Sequence, residues 1–385
     1  MKSSKLLIIF LSALIAFTSS ANNLSDTVSE LQPQRRNIFQ KIYDYVASAN
    51  DPKPAKKFDF SVIGGPYYSQ DTKLGIGIVA AGIFRRDTTN LTIPPSQVSL
   101  YGDVSITGYF KVGIEGSNYF KGNKIWLYYD ASFESMPSHY WGIGYKMNRN
   151  DANDVEYKRL STSLHAASLF QVFNPHFYVG PVINLEYNVG RDIPNPVLWN
   201  NQKNSIFTNA IGVGISYDSR DNTFNAYKGV YARLDQLFAP KFFGNKYAFT
   251  ITEATLCNYF EVWKGGVIAT QLHTRLTYGD TPWSMMSELG GSKSMRGYWE
   301  GRYNDKCAAD ATVELRQRLF SRIGMVVWGG VGCISPTIPK IFKSHALWNA
   351  GIGLRWEFKH RVNVRVDYGF GENQNGLVFS INEAF

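Results

Sequence analysis

Arg361-Val362-Asn363-Val364-Arg365-Val366-Asp367-Tyr368-Gly369-Phe370 alternates with a period of two. Val362, Val364, Val366, Tyr368 and Phe370 share one face, and Arg361, Asn363, Arg365 and Asp367 share the other. Successive side chains of a strand point to opposite sides, so this is a strand with one greasy face and one charged face. Leu347 to Phe358 repeats the pattern: Trp348, Ala350, Ile352, Leu354, Trp356 and Phe358 alternate with Asn349, Gly351, Gly353, Arg355 and Glu357. Phe207 to Tyr217 sets Ile211, Val213 and Ile215 against Gly212, Gly214 and Ser216. In a sandwich the greasy face would point to a core. In a transmembrane barrel it points to lipid and the lumen is polar.

Length and number separate the two. Strands are expected near 57–68, 73–84, 97–107, 109–119, 123–134, 155–173, 176–188 and 205–217. Eight more are expected near 228–239, 246–261, 266–280, 308–320, 322–333, 346–358, 361–370 and 376–385. Most reach about the nine to eleven residues that a membrane strand needs, against the five or six usual in sandwiches. The connections alternate between tight turns (Lys121-Gly122, Asn174-Pro175, Lys264-Gly265, Ser321) and long loops (135–154, 189–204, 281–307, 334–345). Short periplasmic turns and long external loops are the asymmetry of outer-membrane barrels. The fold expected is an all-β, sixteen-stranded antiparallel transmembrane barrel over 57–385, both termini on the periplasmic side.

The rest of the chain fits that compartment. Lys2 and Lys5 precede an apolar run from Leu6 to Phe17, and Ser19-Ser20-Ala21 is a small-residue exit. This reads as a signal peptide, 1–21, too short for a membrane helix. Residues 22–56 read as a periplasmic segment with a short amphipathic helix (Ile38, Ile42, Tyr45, Val46, Ala49 on one face), ended by Asp51-Pro52-Lys53-Pro54. Charged residues are only 18% of the chain and aromatics are 15%, a mix unusual for a soluble domain and natural for lipid-facing strands with interface girdles. Leu377, Phe379 and Ile381 lead on one face to a terminal Phe385, the usual insertion signal of such barrels, interrupted by Glu383.

Two motifs carry a family resemblance. One is Ser294-Met295-Arg296-Gly297-Tyr298, in the long loop before the twelfth strand. The other is Gly214-Ile215-Ser216-Tyr217-Asp218-Ser219-Arg220-Asp221-Asn222, followed by Phe224-Asn225 and Lys228-Gly229. Together, in this order and with five strands after the first, they resemble the BamA/TamA superfamily of bacterial surface antigens. The resemblance covers 57–385. It implies that the loop before the twelfth strand folds into the lumen and sets Arg296 against a carboxylate on the wall, with Gly297 at a tight tip and Tyr298 packed on the wall. Asp310, Thr312, Glu314, Arg316 and Arg318 share the lumen face of that strand, and Glu314 is the expected partner. The family usually adds an acid on the thirteenth strand. Here Trp328-Gly329-Gly330-Val331-Gly332 offers Gly330 instead, so the lock is weaker or uses another group. Asp218, Arg220, Asp221, Asn222 and Gly229 are expected to organise a periplasmic turn.

The resemblance also implies a function. It points to a Gram-negative outer-membrane protein taking part in protein assembly or translocation with partners. Its first and last strands meet at a seam thought in the family to open sideways. Family members usually carry periplasmic POTRA modules, for which 22–56 is too short, so a short form is expected. Expected partners are outer-membrane lipids, a periplasmic or lipoprotein partner, and the barrel assembly machinery for its own insertion. Alternatives are a plugged passive pore and a structural scaffold for a lipoprotein.

Other chemistry is thin. The six His are scattered without a metal-ligand pair, and His273 reads as wall hydrogen bonding beside Gln271 and Arg275. No motif supports an enzyme, a cofactor or a metal. The net charge of +9 is spread through lumen positions beside Asp130, Glu134, Asp235, Glu314 and Asp367, so no nucleic-acid partner is expected. Cys307 and Cys333 share the outward parity at the outer ends of adjacent strands, which leaves open a rim disulfide or two free thiols. Cys257 stands alone.

Overall fold

The computed structural model describes residues 58–84, 96–120, 123–193 and 196–385. The expected signal peptide and amphipathic helix lie outside them. The chain runs through β1 (Phe58–Ser69), β2 (Lys73–Phe84), β3 (Ser96–Ser105), β4 (Phe110–Phe120), β5 (Ile125–Tyr140) and β6 (Val155–Gln171). It continues through β7 (Phe177–Arg191), β8 (Ser205–Asp218), β9 (Gly229–Ala239), β10 (Phe249–Trp263) and β11 (Gly266–Gly279). A small hairpin, β12 (Ser287–Leu289) with β13 (Tyr303–Asp305), precedes β14 (Cys307–Phe320), β15 (Ile323–Ser335), β16 (Leu347–Lys359), β17 (Val362–Gly371) and β18 (Gln374–Ile381). All but β12 and β13 form one closed antiparallel barrel, in which β11 pairs with β14 and β18 returns to β1. The expected sixteen-stranded barrel with an inserted loop is the observed one.

The two faces follow from the alternation. On the outside, Trp348, Ile352 and Leu354 of β16 and Tyr368 and Phe370 of β17 stay exposed, as befits strands solvated by lipid. On the inside, Glu314, Arg316, Arg355, Arg365 and Asp367 are all buried. Long loops at one rim fold over the barrel mouth. Tyr140, Tyr157, Trp199 and Trp283 pack there into an aromatic cluster, and Asn304 donates to Gly142 O at 3.0 Å.

One alternative left open is answered and one expectation is corrected. Cys307 and Cys333 are free thiols. Cys307 faces Ser335 and Ala309 faces Cys333, so the two Cys sit on a diagonal. Such positions lie about 7–8 Å apart, beyond the roughly 4.4–6.8 Å between Cα atoms that a disulfide spans. The last strand also ends early. β18 stops at Ile381, and Asn382 takes a positive φ of 67° while its N–H donates to Asn363 O at 2.7 Å. The chain then turns into the lumen. Phe379 and Ile381 keep the outward parity, but Phe385 packs beside Tyr259 and under Arg316, whose Nη2 donates to Phe385 O at 2.9 Å. Glu383 is likewise inside: it accepts from Arg355 Nε at 2.7 Å and Asn363 Nδ2 at 2.6 Å.

Candidate functional site: the lumen loop and the strand seam

The loop between β11 and β14 enters the barrel because its apolar residues have a wall to pack on. Leu289, Met295, Tyr298 and Tyr303 form a buried cluster with Ala308, Ile334 and Leu347 of the surrounding strands. The β12–β13 pairing holds the loop's two arms together, Ser287 opposite Asp305 and Leu289 opposite Tyr303. At the tip Gly297 takes φ +109°, a conformation that favours glycine. A Cβ there would lie 2.8 Å from Gly369 C, and one on Gly369 would lie 2.3 Å from Arg296 O. Loop and wall therefore touch backbone to backbone.

That approach delivers Arg296, only 1% exposed, to a ring of wall charges. Arg296 Nη2 pairs with Glu314 of β14, and Nη1 donates to Asp367 Oδ2 of β17 at 2.7 Å. The guanidinium lies 3.8 Å from the centre of the Trp328 ring of β15. Asn349 Nδ2 of β16 donates to Arg296 O at 3.2 Å. Each acid is shared. Glu314 accepts from Arg316 Nε at 2.9 Å, and Asp367 accepts from Arg355 at 2.5 Å and Arg365 at 2.7 Å. Arg365 Nη2 also holds the loop directly, donating to Ser292 O at 2.8 Å. The cluster thus sets Arg296, Arg316, Arg355 and Arg365 against Glu314, Asp367 and Glu383. A planar fork that bridges two carboxylates and stacks on an indole needs arginine rather than lysine.

Asp367 explains the glycine on β15. Gly330 carries no acid, and a Cβ there would lie 2.3 Å from Asn349 Oδ1. Asn349 fills that space, and the second carboxylate comes from β17. Asp367 was visible on the lumen face of its strand; nothing in a single sequence shows that it faces a loop 71 residues away.

Tyr298 reaches the strand ends beyond the cluster. Its hydroxyl donates to Trp348 O at 2.7 Å and accepts from Glu372 N–H at 2.6 Å. Trp299 N–H donates to Gln374 Oε1 at 3.2 Å. These bonds reach the β17–β18 turn beside the barrel seam. Tyr68 opposite Phe379 is the described pair between β1 and β18, whereas β17 and β18 stay in register from Val364–Ile381 to Gly371–Gln374. Among the described pairs, the seam registers fewer residues than any other join between neighbouring strands of the barrel.

The second motif builds the turn between β8 and β9. Arg220 forks onto its own neighbour, Nε and Nη2 donating to Asp218 at 2.9 and 2.7 Å, and stacks 4.3 Å from the Tyr231 ring centre. Asp221 Oδ1 accepts from Tyr227 N–H and Lys228 N–H at 2.9 and 3.2 Å. Asp221 Oδ2 accepts from Arg361 Nη2 at 3.0 Å, which ties the turn to the one between β16 and β17. Asn222 Oδ1 accepts from the N–H groups of Phe224 and Asn225 at 2.8 and 3.0 Å. Gly229 has φ +109°, and a Cβ there would meet Ser219 O at 2.3 Å. His273 lies on the lumen wall, Nδ1 3.0 Å from Asp310 and Nε2 3.6 Å from Glu253. Among the described residues no group of three His, Cys, Asp or Glu is placed to hold a metal.

The family model of the Omp85 superfamily domain matches residues 95–385. No curated protein matches the chain. Among solved structures the fold is similar to BamA from Haemophilus ducreyi lacking POTRA domains 1-3, with a TM-score of 0.56 and 15% identity over 85% of this chain and 70% of that one. It is also similar to CdiB from Acinetobacter baumannii, with a TM-score of 0.53 and 13% identity over 86% and 60% of the two chains. CdiB from Escherichia coli gives a TM-score of 0.54 and 13% identity over 86% and 64%. At these identities the likeness is one of fold, and the chain spans less than two thirds of either CdiB.

Proposed function

The chain belongs to the Omp85 superfamily, and from that premise we propose that it works in the outer membrane of a Gram-negative bacterium, in protein assembly or translocation with partner proteins. The reading is of a non-catalytic barrel without a cofactor. The observation that carries it is the contrast between a firmly closed lumen and a lightly closed seam. Arg296 and its carboxylates fix the loop inside the barrel, while Tyr68 and Phe379 alone register β1 against β18 among the described pairs. A wall that parts does so at its fewest hydrogen bonds, since each of these adds about 0.5–1.5 kcal/mol. The opened edges of β1 and β18 then offer unpaired N–H and C=O groups, the template on which another strand adds. Arg296, Gly297, Tyr298 and Glu314 serve as the loop lock, with Asp367 as a further member. Asp218, Arg220, Asp221, Asn222 and Gly229 hold a periplasmic turn. Residues 1–21 act as the signal peptide, and 22–56 as a docking segment for a periplasmic or lipoprotein partner.

The test is purification of the tagged full chain after cross-linking in its own cells, with and without residues 22–56. Outer-membrane or periplasmic proteins should co-purify, and a partner should be lost on the deletion. A clean monomer in both preparations contradicts the proposal.

A further inference from the structure

Three chain segments meet at the loop rim of the seam. The first is the turn between β1 and β2. There Gln70, its amide oriented by the groups around it, donates to Asn375 O at 3.2 Å and accepts from Trp299 Nε1 at 2.5 Å. Asp71 Oδ1 in the same turn accepts from Glu300 N–H at 3.3 Å, and Lys73 Nζ lies 4.6 Å from the Trp299 ring centre. The second is the turn between β17 and β18, where Glu372 N–H binds Tyr298 and Gln374 Oε1 binds Trp299 N–H. The third is the loop itself, Gly297 to Glu300. Packing is close: a Cβ on Gly376 of β18 would lie 2.3 Å from the Gln70 amide and 3.5 Å from Gly297 Cα. The His139 ring of β5 lies tilted at 50° to Trp299, ring centres 4.8 Å apart.

Trp299 therefore bonds to both sides of the seam at once. Its ring N–H serves the first hairpin and its backbone N–H serves the last. Nothing in the lumen lock requires this, because the described contacts of Arg296 are to the wall from β14 to β17. The two sets of contacts are nevertheless consecutive in the chain, so a loop fixed at Arg296 holds Trp299 in place across the join.

We propose that Trp299 and Glu300 form a clasp that ties the β1–β2 turn to the β17–β18 turn, so that the lumen loop governs whether the seam parts. This rests on the reading of the seam as the working part of the barrel, and it adds the element that controls it. With the clasp made, the seam has, among the described residues, the pair Tyr68–Phe379 plus the side-chain bonds through Trp299, Glu300 and Gln70. With the clasp broken, the described links left across the seam are the strand pair and the bond from Gln70 to Asn375 O. A client or partner that engages the loop from outside then loosens the seam without touching either strand.

Hydrogen exchange on the full chain in detergent micelles or nanodiscs tests this, comparing wild type with Trp299→Ala and Gln374→Ala. Heat-modifiable migration on gels confirms that each barrel is folded. Loss of the clasp should speed exchange in β18 (374–381) on the order of ten-fold, with β9 and β10 unchanged. The proposal is overturned if exchange rises in 297–302 but stays at the wild-type rate in β18. Should Trp299→Ala not fold, Gln374→Ala decides by the same criterion, since it removes only the acceptor on the last turn. A seam that loosens in cells without any protein co-purifying would sink the assembly reading and leave the clasp standing.

Discussion

Arg296 Nη1 and Asp367 Oδ2 meet at 2.7 Å across 71 residues of sequence, against the stretch of barrel wall, β14 to β17, that those residues build. The contact is possible because β17 carries its carboxylate on the lumen face and Gly369, two residues on, lets the loop backbone lie against the strand. One arginine thus joins β14, β15 and β17 through Glu314, Trp328 and Asp367.

Arg296→Ala should destabilise the barrel by about 3 kcal/mol, the low end for breaking a buried ion pair, because Glu314 keeps Arg316 and Asp367 keeps Arg355 and Arg365. Arg296→Lys should recover little, since lysine has no fork to bridge two acids and no plane to lay on Trp328. The temperature at which the folded gel band is lost reports both. A lysine variant indistinguishable from wild type would show that charge alone holds the loop.

Gly369→Ala should free the loop without altering any charge, because its Cβ would lie 2.3 Å from Arg296 O. Gly329→Ala on the same wall meets nothing within 4 Å and should behave as wild type. Limited proteolysis of the loop separates them: cleavage in 290–302 should appear only in the Gly369 variant. In planar bilayers that variant should also conduct more steadily than wild type if the loop is the plug.

Much of this site could be read in the sequence and some could not. Alternation placed Glu314, Arg365 and Asp367 on the lumen face, because strand parity is a local property. The partnership of Arg296 with Asp367 is a matter of distance across a closed barrel, which one sequence does not encode locally. The C-terminus misled for a related reason. Leu377, Phe379 and Ile381 continue the outward pattern, but Asn382 turns the backbone, and Arg355 and Arg316 draw Glu383 and Phe385 inside. Cys307 and Cys333 share a parity, and whether they also share a register was open in the sequence, because an offset of two residues depends on how the Ser321 turn closes.

The two cysteines give a simple check of that register. Protein denatured without reductant should alkylate at both Cys307 and Cys333, and its mass should not change on reduction. A mass lower by two hydrogens, restored by reductant, would mean that β14 and β15 are shifted from the register seen here.

Contact between the loop and the first hairpin should depend on pH. Burial pushes Asp71 up to about 6, against the bond from Glu300 N–H and the charge of Lys73. Enclosure by the surrounding chain, then repulsion from Asp71 and Glu288, pushes Glu300 up to about 7, although its side chain still reaches solvent. In the unfolded chain both titrate near 4. Raised carboxyl pKa values mean that the folded form holds the extra protons. The stabilisation is therefore complete below about pH 4 and is lost as pH rises through 6 and 7. Hydrogen exchange in 297–302, corrected for its intrinsic pH dependence, should show greater protection at pH 5 than at pH 8. Glu300→Gln should reduce that difference. Equal protection at both pH values would contradict it.

Seam opening itself can be blocked chemically. Tyr68 and Phe379 face each other with the same outward parity, so Tyr68→Cys with Phe379→Cys places two thiols at a directly opposed pair, within disulfide range. A photo-cross-linking residue at Phe60, exposed on the outer face of β1, then reports what meets that edge in living cells. The account predicts that Phe60 captures another outer-membrane or translocated chain when the seam cysteines are reduced, and loses it when they are oxidised. Equal capture in both states, or none in either, would contradict a barrel that works through its seam.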